Sequence, residues 1–157
     1  MSGINPTQLR AHVVRPALKH LNLYSPAAEN LVLGTALVES AGSYLKQVRG
    51  PALGLWQMEP ATHDDIHNNY LLYQPSLAAA VRELETSARI TAGASELVGN
   101  LFYAAAMCRI HYRRDDEPLP SASDWEGMAR YWKRVYNTAL GAGTVDKAIP
   151  YFRSAVV

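Results

Sequence analysis

A single cysteine, Cys108, is all the sequence offers for thiol chemistry. One thiol cannot close an internal disulfide, so the fold must rest on packing alone and the redox compartment stays open. Within FYAAAMCRIHY this cysteine reads as a small buried residue. An excess of either charge is lacking too: 15 Lys and Arg against 14 Asp and Glu leave a formal net charge of +1. No whole-chain basic field exists to grip a nucleic-acid backbone, and no nucleic-acid specificity is expected. Long apolar runs are also missing, and MSGINPTQLRAHVVRP lacks the apolar stretch of a secretory signal. The expectation is therefore neither membrane insertion nor a signal peptide.

What is present suits one folded unit. With 157 residues, 48% of them hydrophobic, the chain can bury a core of its own, and residues 1–157 read as a single domain. Helical spacing dominates. PTQLRAHVVRPALKHLNL predicts an N-terminal helix over about 6–22, bent at Pro16, whose ring has no backbone donor. SPAAENLVLGTALVESAG predicts a second helix, with Ser25 as cap, Pro26 in the first turn and Gly42 closing it. PATHDDIHNNYLL, PSLAAAVRELETSARI, SELVGNLFYAAAMCRIHYRR, SDWEGMARYWKRVYN and TVDKAIPYFRSAV read as further helices. Around residues 42–59 the period fails, which predicts a short irregular or β-hairpin segment in a mainly α fold. DDEPLPSAS reads as an exposed connection, and the groups Arg109, Arg113, Arg114 and Arg130, Lys133, Arg134 as solvated helix faces.

Glu39 stands out because it ends an apolar helix. The negative end of the helix dipole and an apolar flank both favour its protonated form, so its pKa should rise. A carboxylic acid that keeps its proton near neutral pH can pass it to a leaving glycosidic oxygen. After it, Gly54 permits a tight turn, Leu55 and Trp56 can form an apolar and stacking wall, and Gln57 can hydrogen-bond a sugar amide. Trp125, Tyr131 and Trp132 offer a sugar-stacking platform as one reading, but like Phe102, Tyr103 and Tyr112 they fit core positions at helical spacing.

His63-Asp64-Asp65-Ile66-His67 offers a different chemistry. Two histidines at i and i+4 share a helix face, as zinc ligation requires, with Glu85 as an available third ligand. A zinc-dependent peptidase is thus one reading. The other is two polar residues on a partly exposed helix, with no metal.

Glu39-Ser40, then Gly54-Leu55-Trp56-Gln57-Met58-Glu59-Pro60 with Thr62, then Tyr136-Asn137 followed by Gly141, Gly143 and Val145 resemble, in order, the three motifs of the soluble lytic transglycosylases. Those are an acid followed by serine, a Gly-Leu-Met-Gln segment leading to Pro and Thr, and an Ala-Tyr-Asn-Ala-Gly turn. The resemblance spans about residues 31–145, and the third motif departs from the pattern by extra residues before the glycine. In detail the chain is similar to the small transglycosylase-like proteins carried in the particles of tailed bacteriophages.

The resemblance implies a lysozyme-like helical domain that cuts the MurNAc-GlcNAc bond of peptidoglycan without a cofactor. Glu39 would be the general acid and then the base, with Tyr136 near its carboxylate. Ser40, Gly54, Leu55, Trp56, Gln57 and Asn137 would line or bind the substrate. Attack by the sugar's own 6-hydroxyl would give a 1,6-anhydro product with one carboxylate, whereas a hydrolytic version would call on a second acid, Glu59, Asp64 or Asp65. The implied partners are glycan strands and other virion proteins. The implied setting is a phage particle acting at the cell wall, made in the host cytoplasm. A structural tail or baseplate component with a vestigial site stands as the alternative.

Overall fold

The computed structural model describes residues 3–86, 93–138 and 140–157. The described chain is mainly helical and contains no β-strand. Its helices are α1 (Pro6–Leu9), α2 (Arg15–His20), α3 (Pro26–Ser40), α4 (Pro60–Asn69), α5 (Pro75–Leu84), α6 (Glu96–Gly99), α7 (Leu101–Arg113), α8 (Trp125–Tyr131) and α9 (Val145–Ala155).

The N-terminal helix accommodates Pro16 by widening rather than by breaking. Between α1 and α2 the turns of Arg10–Val14 are π-wound, and the Arg15 N–H reaches back to the Arg10 carbonyl. Pro16 lacks the donor that a regular α-turn needs there, so the extra residue per turn absorbs the fault. Helix α3 follows its sequence signals closely. Ser25 Oγ accepts from the Ala28 N–H, Pro26 opens the first turn, and Ala41 ends the helix in a left-handed conformation just before Gly42.

Two expectations need correction. The segment from Ser95 to Arg114 is not one helix, because Asn100 leaves helical geometry and its side chain caps α7 by accepting from the Tyr103 N–H at 3.0 Å. Helix α5 ends at Leu84, and the remainder of the predicted PSLAAAVRELETSARI helix from residue 87 lies outside the described residues. Residues 42–59 are irregular, held by the isolated antiparallel bridges Lys46–Leu53 and Leu53–Met58.

Helix α9 packs along α3 and α8, and α7 packs on α2 and α5. Gly34 permits the closest approach: a Cβ there would overlap the ring of Phe152, which lies wholly buried against α3. A largely buried ionic network fastens the same two helices about one turn further along. Arg10 bridges Glu29 at 2.8 Å and Asn30 at 2.7 Å and also donates to the Ala155 carbonyl, while Arg15 bridges Glu29 at 2.6 Å. The consequence is that α3, carrying Glu39 at its far end, is held from both sides.

Candidate active site

A cleft of about 760 Å³ opens where the C-terminal turn of α3, residues 47–62, the segment after α8 and the outer face of α9 meet. Glu39, Gln57, Glu59, Thr62, His111, Trp132, Tyr136 and Asn137 line it, together with the Thr138–Thr144 loop residues that are described and Lys147 and Tyr151 of α9.

Glu39 is the acid at its centre. Burial pushes its pKa up to about 7, opposed by a hydrogen bond from Trp132. Trp132 Nε1 donates to Glu39 Oε1 at 3.0 Å. With Oε1 occupied as an acceptor, the proton of the neutral acid belongs on Oε2, and the indole N–H remains to stabilise the carboxylate once that proton has left. Trp132 was expected to fill the core or, alternatively, to stack on a sugar. It is core, 2% exposed, yet its one polar atom is spent on the acid. The signal in the sequence was its place one helical turn before Tyr136.

A second π-wound segment, Trp132–Asn137, delivers these groups. It continues α8, whose N-cap Asp124 accepts from the Gly127 N–H, and ends where the Thr138 N–H bonds the Lys133 carbonyl at 2.7 Å. The wider winding turns Tyr136 and Asn137 toward the cleft at a different angle from that of a regular helix. Tyr136 lies near enough to Glu39 for the carboxylate to add to the burial that raises the phenol's pKa. Its hydroxyl, however, donates to the Trp56 carbonyl at 2.6 Å. Tyr136 therefore holds the Trp56–Gln57 turn, and Trp132 makes the direct bond to the acid. Asn137 Oδ1 accepts from Lys133 Nζ at 2.7 Å, and Lys133 also reaches the Gly141 carbonyl at 3.0 Å, so Asn137 anchors the loop beyond it.

Of the other residues expected to contact substrate, Gln57 lines the cleft. It sits at φ 47°, and its Nε2 donates to the Gly54 carbonyl at 2.8 Å, a bond that does not use Oε1. Ser40, Gly54, Leu55 and Trp56 are corrected: all four are buried and none lines the cleft. Ser40 Oγ donates to the Leu55 carbonyl at 2.6 Å, and Trp56 Nε1 donates to the Val32 carbonyl at 2.8 Å. Gly54, at φ +78°, leaves no room for a Cβ beside the Leu97 carbonyl. These residues bolt the connector to α3, and no stacking wall of Leu55 and Trp56 faces the cleft.

Of the candidate second acids, Glu59 lines the cleft. Asp64 does not; it points outward beside His63 Nδ1 at 2.9 Å. Asp65 pairs with Arg114 at 2.7 Å. Both histidines of the zinc-like pattern are committed: His63 Nε2 and His67 Nε2 lie 2.7 and 2.8 Å from the Tyr103 hydroxyl. Among the described residues no group of three or more His, Cys, Asp or Glu side chains is placed to hold a metal ion. Two further expectations fail locally, since Arg109 is buried rather than solvated and Phe102 is 43% exposed.

No protein-family model, no curated protein and no solved structure matches this chain.

Proposed function

We propose that the cleft binds a peptidoglycan glycan strand and that Glu39 cleaves its MurNAc-GlcNAc bond, in a domain of the lysozyme-like, lytic-transglycosylase type. The observation that carries this reading is Glu39 itself: a carboxyl group held protonated to about pH 7 by burial, hydrogen-bonded by one indole, and open to a cleft large enough for sugar rings. The three motifs, in order, support the family assignment.

The chemistry balances with one acid. Glu39 gives its Oε2 proton to the leaving glycosidic oxygen as the C1–O bond breaks, and the resulting carboxylate takes the proton of the same sugar's 6-hydroxyl as that oxygen bonds to C1. Glu39 ends the cycle protonated. Trp132 strengthens its hold on Oε1 while the charge is present, which is when a donor contributes most. The phage particle, local wall penetration during DNA delivery, and virion partners belong to the same proposal and rest on the resemblance.

One observation favours a second reading, a virion structural component whose cleft only binds glycan: the Tyr136 hydroxyl is engaged with Trp56 and gives no bond to Glu39. Mass spectrometry of muropeptides released from purified peptidoglycan separates the two. Anhydro-muramyl products that disappear in Glu39→Gln establish the transglycosylase. Reducing-end products would point to water attack with Glu59 as partner, and no release by folded protein would leave the binding role.

A further inference from the structure

Three side chains outside the family motifs form a relay that ends in the cleft. Arg114 Nη1 donates to Asp65 Oδ2 at 2.7 Å, and Arg114 Nη2 lies 3.0 Å from His111 Nδ1. A guanidinium can only donate, so Nδ1 must be the bare, accepting nitrogen and the imidazole proton sits on Nε2. The His111 ring lines the cleft and stands edge-on to Tyr136, with ring centroids 4.8 Å apart, while Tyr112 flanks it at 6.4 Å. Burial first, and then the charge of Arg114, bring its pKa down to about 4. At neutral pH the ring is therefore an uncharged donor.

We propose that His111 is a substrate-binding residue whose Nε2–H donates to the acetamido carbonyl of an N-acetylated sugar, with Arg114 as the positioning residue that fixes the tautomer. The inference rests on the glycan reading of the cleft and adds a specificity to it. An amide carbonyl is a strong neutral acceptor that an N–H donor satisfies, and Gln57 lines the same cleft with an Oε1 that its bond to Gly54 does not use. A sugar stripped of its acetyl group presents an ammonium instead, which has no lone pair for His111. The cleft thereby distinguishes N-acetylated from de-N-acetylated strands.

The test is calorimetric titration of N-acetylglucosamine oligomers and their de-N-acetylated equivalents into wild type, His111→Phe, His111→Gln and Arg114→Met, with nitrogen NMR of the His111 ring. Wild type should show Nε2 protonated and Nδ1 bare. His111→Phe should bind the N-acetylated oligomer about tenfold more weakly, with the de-N-acetylated oligomer unchanged. His111→Gln, which restores a side-chain N–H, should recover most of the loss, and Arg114→Met should give mixed tautomers with about two- to threefold weaker binding. A protonated Nδ1 in wild type, or equal weakening of both oligomers in all three variants, overturns the proposal. Wild type that binds oligomers and is matched by His111→Phe removes His111 alone, whereas wild type that binds neither oligomer brings down the glycan reading with it.

Discussion

Trp132 Nε1 lies 3.0 Å from Glu39 Oε1, a bond that joins the π-wound segment after α8 to the last turn of α3 across 93 residues of sequence. It is the hydrogen bond that opposes the burial of the Glu39 carboxyl group. Replacing Trp132 with Phe keeps an aromatic ring in the core and deletes the donor. Glycan cleavage should fall about tenfold to a hundredfold, and the Glu39 pKa should rise above about 7 because the bond that favours the carboxylate is gone. Carboxyl NMR titration and a pH–rate profile read both effects; an unmoved pKa would sever Trp132 from the acid.

Glu39 also makes stability depend on pH. Its folded pKa of about 7 lies above the ordinary glutamate value of 4.5, so the folded state binds the extra proton. The associated stability is fully present below about pH 4.5 and lost as pH rises through 7, by roughly 3 kcal/mol. His111, lowered from 6.5 to about 4, acts with the opposite sign: its contribution is present above pH 6.5 and is lost as pH falls toward 4. Urea denaturation at pH 6 and pH 8 should therefore show wild type losing stability relative to Glu39→Gln at the higher pH, the variant keeping only the opposite contribution of His111. Parallel curves for the two proteins would contradict the assignment.

The seat of Phe152 on Gly34 is a steric prediction. Gly34→Ala places a methyl group into the Phe152 ring and should cost about 1–3 kcal/mol. Phe152→Leu in the same chain should return part of that loss. Additive losses in thermal melts of the double variant would mean that the two side chains do not meet.

Ser40 separates support from contact. Ser40→Ala leaves the Leu55 carbonyl without its 2.6 Å donor and should lower stability by about 1–3 kcal/mol. Glycan affinity measured well below the melting temperature should change little, since Ser40 is buried behind the connector. A selective loss of affinity with unchanged stability would return Ser40 to the substrate.

Tyr103 decides between the two uses of the histidine pair. Tyr103→Phe removes the hydroxyl shared by His63 and His67 and should destabilise the fold by about 1–3 kcal/mol, while a chelator leaves both melting temperature and glycan cleavage untouched. Chelator-sensitive activity would revive the metal reading.

Local rules made much of this legible. Ser25 and Pro26 open α3 as their neighbours dictate, although Ala41 rather than Gly42 closes it, and the raised pKa of Glu39 was expected of an acid ending an apolar helix. The Asn100 cap was also written locally, but a run of helix-favouring residues on both sides masked it. Trp56 and Leu55 misled because sequence shows that a residue is apolar, not which way it faces; their inward turn depends on Val32 and Ser40, more than a dozen residues away. Trp132 and the Asp65–Arg114–His111 relay stayed hidden for the same reason, being products of α7 and the π-wound segment meeting α3 and α4 in space.

Helix α9 supplies one wall of the cleft and fills the groove at Gly34 from a position far downstream of Glu39. On a ribosome the acid emerges long before the element that completes its surroundings, and domains fold as units when their parts are present. Until α9 arrives, the surface of α3 that Phe152 covers at Gly34 stays wet, and the cleft lacks the wall that Lys147 and Tyr151 give it. The cleft around Glu39 is thus complete only once α9 has docked.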